Sequence, residues 1–302
     1  MVWIICSLGT AIIITFVNII DSHVLSKKMP GLSSYLLPLG LTQLVIAAVF
    51  LVIFPFPANP GLVHVLVAFA SAMGNALSLV IALKCLQKGE VSRVIAVTSS
   101  YPIFVALLSV PLLGEFLNIW EWLAVFMTVV GTVLVSLHHE GGRGKARLQK
   151  SFVLLLVAAV LTAVSNIGFK YALSTISFWN MVSINCFAVA VVVLCFSFRR
   201  ATFTELKNLP QRTQKLGWII GNQCIAVAGI TDGFIATANG PIALVSTIMN
   251  IRPVFIFIFS LILSRFYPGF LNERLDKRTI LMKVAGIAMI TAGVAIIGLS
   301  GT

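Results

Sequence analysis

The sequence places an arginine directly before a proline inside a long apolar segment, at Arg252 and Pro253. On insertion scales, a charged residue at the centre of a membrane-spanning helix costs about 2.5–3.5 kcal/mol. A guanidinium there needs a polar neighbourhood, and its planar fork suits bidentate binding of a carboxylate or phosphate. We therefore expect Arg252 to hold an anionic group of a bound ligand. The alternative is a structural ion pair, for which Asp232 is the acidic candidate inside a neighbouring span.

Two prolines interrupt apolar segments at equivalent places, Pro102 and Pro253. Proline has no backbone N–H, and its ring clashes with the carbonyl four residues earlier. Pro102 therefore frees the carbonyl of Thr98, and Pro253 frees the carbonyl of Met249. Broken helices at corresponding positions of two repeats point to the binding site of a transporter. A packing kink with no ligand is the simpler alternative, because neighbouring helices can satisfy the freed groups.

Several other polar residues are candidates for the same site. Tyr101 occupies the position in the first half that Arg252 occupies in the second, so we expect a phenol and a guanidinium at equivalent depths. The remaining candidates for lining a cavity are polar residues within apolar segments: Asn75, Thr98, Gln223 and Asn250. Lys170 either snorkels to the outer surface or, with Asp232, forms an ion pair or a proton site. Asp232 is the proton-site candidate because no glutamate lies in the middle of a span.

The composition places the chain in a lipid bilayer. Of its 302 residues, 59% are hydrophobic and only 10% are charged, and the mean hydropathy is +1.05, whereas soluble domains carry roughly 25% charged residues. The net charge of +12 is spread over short loops, so it indicates membrane orientation rather than a nucleic-acid partner. The chain has no Walker lysine loop, HExxH or GxSxG motif, and we expect no catalytic residues, metal or cofactor.

Apolar windows bounded by charges, glycine or proline predict an all-α protein with ten membrane-spanning helices. They cover about residues 2–21, 33–54, 62–83, 91–113, 116–137, 151–173, 178–198, 215–236, 242–264 and 279–299. Of the 21 Lys and Arg residues, 19 fall in the loops on one side. The positive-inside rule puts these loops in the cytoplasm and both termini on the outer side.

The chain repeats itself. The segment GEVSRVIAVTSSYPIF (89–104) aligns without a gap with GPIALVSTIMNIRPVF (240–255), at an offset of 151 residues. The motifs GTVLVS and GVAIIG close the fifth and tenth predicted spans. We therefore divide the chain into a five-helix unit at 1–137, a cytoplasmic linker at 138–150 and a second five-helix unit at 151–302. Because five is odd, the second unit enters the membrane inverted, an arrangement typical of transporters.

These features resemble the drug/metabolite transporter superfamily, EamA type. The resemblance rests on the two five-helix repeats, the glycine followed thirteen residues later by proline, the turn LLGE at Glu115 and the helix WLAVFMTVVGTVLV. It covers nearly the whole chain and implies a ten-helix transporter of small metabolites with a central cavity between the halves. Its motifs are specific for the fold and carry little information on the substrate.

The function expected from the sequence is secondary transport, by an exporter or exchanger, of a small metabolite bearing a carboxylate or phosphate, by alternating access. Amino acids and organic acids are the first expectation, and phosphorylated or nucleotide sugars are the second. The rivals are a membrane-embedded enzyme acting on lipid-linked substrates and a receptor or scaffold that transports nothing. The expected partners are the metabolite and the lipid bilayer, with monomer and dimer both open. The family and the compact chain favour a bacterial cytoplasmic membrane.

Overall fold

The computed structural model describes residues 1–57, 61–86, 97–136, 145–256, 258–259 and 277–300. These residues form helices joined by turns, and no strand occurs among them. The helices are α1 (Val2–Lys27), α2 (Leu32–Ile53), α3 (Leu62–Leu86), α4 (Tyr101–Leu113), α5 (Ile119–Ser136), α6 (Lys145–Ala172), α7 (Phe178–Ser197), α8 (Arg200–Lys207), α9 (Arg212–Asn239), α10 (Ile242–Met249) and α11 (Lys277–Ser300). The expected all-α class agrees with this part of the chain.

The described residues thus contain eleven helices rather than the ten predicted. The additional one is α8, which lies in a segment assigned to a loop. Helix α8 was not among the predicted spans because it is too short: eight residues extend about 12 Å and cannot cross a bilayer. Parts of three basic loops (87–96, 137–144 and 260–276) lie outside the described residues. Residues 145–150, which were predicted to belong to the linker, are instead the first turns of α6.

Within the described ranges, six helices are long and apolar enough to cross a membrane. They are Val2–Leu25, Leu32–Ile53, Leu62–Cys85, Phe152–Ala172, Phe178–Ser197 and Arg212–Asn239. Four shorter apolar helices accompany them: Tyr101–Leu113, Ile119–Val135, Ile242–Ile256 and Val284–Leu299. Many large hydrophobic side chains on the long helices are exposed, as expected where lipid covers them.

The centre of the bundle is α7, of which 72% is buried, more than any other candidate span. It packs against α2, α3 and α9. Small residues allow this contact, because Ala188, Ala190 and Cys186 are fully buried along it. At its start, the Ser177 hydroxyl accepts a hydrogen bond from the Asn180 backbone at 3.3 Å. This cap satisfies one of the free amides at the helix N-terminus.

The backbones of α5 and α11 approach each other closely at two glycines. A Cβ atom added to Gly131 would lie 2.6 Å from the Gly286 carbonyl oxygen, and one added to Gly286 would lie 2.6 Å from that of Gly131. Farther along, a Cβ on Gly293 would lie 2.8 Å from the Ala124 carbonyl oxygen. Small residues at such crossings let membrane helices pack backbone to backbone. The motifs around Gly131 and Gly293 therefore mark a helix interface.

Candidate functional site

The first helix break lies just before Pro102. Residues 97–98 are helical, Ser99 and Ser100 form a turn, and α4 begins at Tyr101 with Pro102 in its first turn. Proline is well tolerated there, because the amides of a helix start have no helical partner anyway. The chain therefore resolves the expected conflict by ending one helix and starting another rather than by bending a continuous helix.

The second break lies just before Pro253. Helix α10 ends at Met249, Asn250 and Ile251 form a turn, and residues 252–256 are helical again. The two broken residue pairs, 99–100 and 250–251, are separated by the same 151 residues as the repeat in the sequence. The prediction of paired breaks at Pro102 and Pro253 thus agrees with the backbone of both segments.

The two breaks contact each other. The Asn250 side-chain amide donates a hydrogen bond of 2.7 Å to the Ser99 carbonyl, which the turn leaves without a helical donor. Beside it, the Tyr101 hydroxyl donates to the Ser246 carbonyl at 3.1 Å. Asn250 and Tyr101 are buried, at 4% and 9% exposure. Side chains from each broken helix thus satisfy backbone carbonyls of the other, as buried polar groups require.

Arg252 follows the second break directly. Its backbone carbonyl lies 3.5 Å from the Thr15 hydroxyl of α1. The Nε atom of Arg252 is buried and has no hydrogen-bond partner among the described residues. A buried donor without a partner costs about 1–3 kcal/mol, and more when it is charged. Arg252 therefore presents an unused donor beside the two breaks.

Asp232 and Lys170 lie at separate places. The Asp232 carboxylate sits against α1, where a Cβ added to Gly9 would lie 3.1 Å from Oδ2. Lys170 donates to the carbonyls of Thr237 and Gly240, at 2.9 and 2.8 Å. It thus caps the C-terminus of α9, a favourable place for a cation. The described residues contain no salt bridge between Asp232 and either Arg252 or Lys170.

The remaining predicted residues are dispersed. Gln223 is buried on α9 and accepts a hydrogen bond from Gln43 of α2 at 2.8 Å, so it joins two helices. Asn75 is half-buried on α3, and Thr98 is half-buried just before the first break. Of the candidates, the structure brings together Tyr101, Asn250 and Arg252 with both prolines. Gln223 lies in a separate α2–α9 contact.

Sequence reasoning passed over two polar contacts. Asn222 of α9 donates both to the Val17 carbonyl, at 3.1 Å, and to the Asp21 carboxylate of α1. Asp21 is therefore a second carboxylate within a candidate span. The second polar contact involves Glu115, which lies in the LLGE turn and was given no role from the sequence. Asp21 and Glu115 each stand out in the sequence as an acidic residue at the end of an apolar window. The sequence does not show what either carboxylate contacts.

Glu115 closes the end of the bundle at the α4–α5 turn. Gly114 ends α4 with φ +68°, a left-handed conformation that favours glycine. This turn directs the Glu115 carboxylate to the start of α10, where it accepts a hydrogen bond of 2.8 Å from the Ile242 backbone N–H. Burial raises the pKa of the Glu115 carboxyl above its ordinary value of 4.5, although the hydrogen bond and the charge of Lys170 oppose the increase.

Replacing Glu115 with glutamine is expected to change how stability depends on pH. A carboxyl whose pKa is higher in the folded chain binds protons more tightly there, so the free energy of unfolding falls as pH rises from 4.5 through the folded pKa. Glutamine does not titrate, yet its oxygen can accept the same bond from Ile242. We expect the parent to lose stability relative to Glu115→Gln over this range in thermal unfolding scans. Parallel pH profiles for the two proteins would contradict the prediction.

No group of three or more His, Cys, Asp or Glu side chains in the described part of the chain is arranged to hold a metal ion. The site therefore consists of amides, hydroxyls and one guanidinium. Such groups donate hydrogen bonds, and the guanidinium adds a positive charge. Groups of this kind are chemically suited to an anionic or polar ligand.

Comparison with known proteins adds a family and a fold. The sequence model described as "EamA-like transporter family" matches residues 1–137. A solved crystal structure with 17% sequence identity matches 96% of this chain and 97% of its own, with a TM-score of 0.63. At that identity the likeness concerns the fold alone. A search of curated protein sequences gave no match. The apolar helices and the match over residues 1–137 together indicate an integral membrane protein.

Proposed function

We propose that this membrane protein, whose residues 1–137 match the model of the EamA-like transporter family, is a secondary transporter that moves a small anionic metabolite by alternating access. The metabolite bears a carboxylate or a phosphate, and amino acids or organic acids come first. The observation that carries this proposal is the buried Nε of Arg252, which has no hydrogen-bond partner among the described residues and lies beside two broken helices that meet. Each part of the proposal has its own support.

The proposed architecture is ten spans in two inverted five-helix units, 1–137 and 151–302. The six long and four shorter apolar helices correspond one to one to the ten predicted spans. Exchange of the two units converts the pair α1–α9 into α6–α3, and the pair α4–α6 into α10–α1. All four pairs are in contact, as two units related by a pseudo-twofold axis require. The pairs α2–α7, α4–α10 and α5–α11 exchange with themselves and lie on that axis.

The glycine contacts between α5 and α11 support the same symmetry. The motifs GTVLVS and GVAIIG pair Gly131 with Gly293, and the same offset pairs Ala124 with Gly286. The contact of Gly131 with Gly286 therefore has a counterpart in the contact of Gly293 with Ala124. A duplicated helix pair packed across an axis produces this reciprocity. Unrelated helices have no reason to.

The hydrogen bond between Asn250 and Ser99 lies on the proposed axis, because the two residues occupy equivalent positions of the two units. Any movement of one unit relative to the other must therefore involve this hydrogen bond. An anion bound by Arg252 at the axis would be exposed first to one side and then to the other. This geometry suits alternating access, since the binding group stays fixed while the units move around it.

The proposed orientation keeps the basic loops in the cytoplasm and both termini outside, in a bacterial cytoplasmic membrane. In this orientation Glu115 and Lys170 lie near the outer surface. Both interact with the α9–α10 connection: Glu115 binds the start of α10, and Lys170 binds the end of α9. We assign them to the outer closure of the transporter rather than to proton coupling.

The test of transport is flux through the purified protein in proteoliposomes. Vesicles loaded with one unlabelled anion are diluted into a trace of the same labelled compound, taken in turn from amino acids, organic acids and phosphosugars. Accumulation of label above that in protein-free vesicles supports transport, and the compound that accumulates gives the substrate class. Binding of an anion without any flux would favour a receptor and would overturn the proposal.

A further inference from the structure

The segment between α7 and α9 must lie at a membrane surface. Both helices are candidate spans, ending at Ser197 and beginning at Arg212. The chain between them therefore leaves the bilayer and re-enters it on the same side. Helix α8 (Arg200–Lys207) occupies most of this connection. A short helix held between two spans can lie along the interface rather than cross it.

Helix α8 is fixed to the bundle by one face. Thr202 and Leu206 are buried at 3% and 8% exposure, and Leu206 packs in the same cluster as Tyr35 of α2. The Glu205 carboxylate accepts a hydrogen bond from the Ser34 hydroxyl at the start of α2. These contacts determine which side of α8 faces outwards, so the exposed residues have defined positions.

Two exposed aromatic rings lie at α8, one just before the helix and one on its outward side. Phe198 is 67% exposed and Phe203 is 44% exposed, and the rings meet edge to face with their centroids 5.2 Å apart. Large exposed apolar groups at the end of a membrane span are covered by acyl chains. The Phe198–Phe203 pair therefore indicates that the membrane surface lies at the depth of α8.

A cavity of about 410 Å³ opens between α8 and the ends of α2, α3 and α7. Two of its lining residues are cationic, Lys84 of α3 and Arg199, and one is anionic, Glu205. The Lys84 ammonium lies 4.2 Å from the centroid of the Phe196 ring, a cation–π contact that leaves its charge uncompensated. Neither cation forms a salt bridge within the described part of the chain, and Glu205 is engaged by Ser34. The cavity therefore has a net positive charge.

We propose that this cavity binds the phosphate of an anionic phospholipid, with Lys84 and Arg199 as the two cationic contacts. The chemistry is complementary, because a phosphodiester needs two or more donors at short range and the cavity supplies an ammonium and a guanidinium. The Phe198–Phe203 pair beside it is positioned to contact the acyl chains of the same molecule. This inference is independent of the transported substrate, since the cavity lies apart from Arg252.

The test is native mass spectrometry of the purified protein titrated with dioleoyl phosphatidylglycerol or dioleoyl phosphatidylcholine. We expect the parent to retain phosphatidylglycerol preferentially. In the double variant Lys84→Gln/Arg199→Gln, its affinity should fall roughly 30-fold, equivalent to about 2 kcal/mol. Lys207→Gln removes one positive charge, as Arg199→Gln alone does, but from the exposed end of α8 outside the cavity. It should change affinity less than threefold.

The following outcomes would contradict the proposal. Equal losses in the double variant and in Lys207→Gln would reduce the effect to general surface charge. Displacement of the lipid by millimolar inorganic phosphate would identify a soluble anion as the occupant, and equal retention of phosphatidylcholine would remove the charge selectivity. If the double variant fails to fold, Arg199→Gln alone serves, because Arg199 is exposed and its loss leaves the packing of α8 intact. An unchanged affinity in that variant overturns the proposal.

Discussion

Replacing Arg252 with alanine is expected to weaken binding of the anionic metabolite about 100-fold, equivalent to about 2.7 kcal/mol. The reason is the loss of a charge-assisted, bidentate donor from a buried site. A ligand at 100 times its dissociation constant stabilises the parent by about 2.7 kcal/mol, whereas a 100-fold weaker ligand at the same concentration stabilises by only about 0.4 kcal/mol. Thermal unfolding with a panel of amino acids, organic acids and phosphosugars measures the difference.

The stability of the ligand-free variant separates the two roles of the arginine. If Arg252 serves only the ligand, its removal relieves a buried donor without a partner, so Arg252→Ala should be at least as stable as the parent without ligand. If Arg252 were half of a structural ion pair, its loss would strand the partner carboxylate and cost about 3–5 kcal/mol. Arg212→Ala, on the exposed start of α9, controls for the loss of a positive charge and should respond to ligand as the parent does.

Much of the helix pattern follows from the sequence, because long apolar windows have one stable form in lipid. The breaks followed equally directly, since Pro102 and Pro253 each remove a helical donor. The helix α8 could not be predicted in this way. Its buried side consists of Thr202 and Leu206, and two positions in eight residues give too little periodicity to recognise.

The contacts of the site were beyond the reach of the sequence for a different reason. Asn250 was chosen as a polar residue in an apolar helix, yet its partner is a backbone carbonyl 151 residues away. Lys170 and Glu115 likewise bind backbone groups, which every residue carries. Residue types identify donors and acceptors, but only the fold determines which carbonyls and amides are left free at helix ends.

The interface of α5 and α11 gives the largest expected effect on stability. In Gly286→Ala, the new Cβ would lie 2.6 Å from the Gly131 carbonyl oxygen and 2.7 Å from Val135 Cγ2. Backbone cannot yield as a flexible side chain does, so the two helices must separate. Overpacking of this kind costs about 1–3 kcal/mol, and alanine recovers only about 0.5–1 kcal/mol through helix propensity. The difference is a net loss of about 1 kcal/mol in the free energy of unfolding.

Gly298→Ala is the matched control, because it makes the same change in the same helix where nothing lies within 4 Å of the added Cβ. It should raise stability slightly, so the two variants are expected to differ in sign. The reciprocal packing adds a second requirement. Gly293, the repeat counterpart of Gly131, meets the Ala124 backbone, and Gly293→Ala should destabilise to a similar degree. A loss at Gly286 with none at Gly293 would contradict the twofold relation between the units, and a neutral Gly286→Ala would contradict the interface itself.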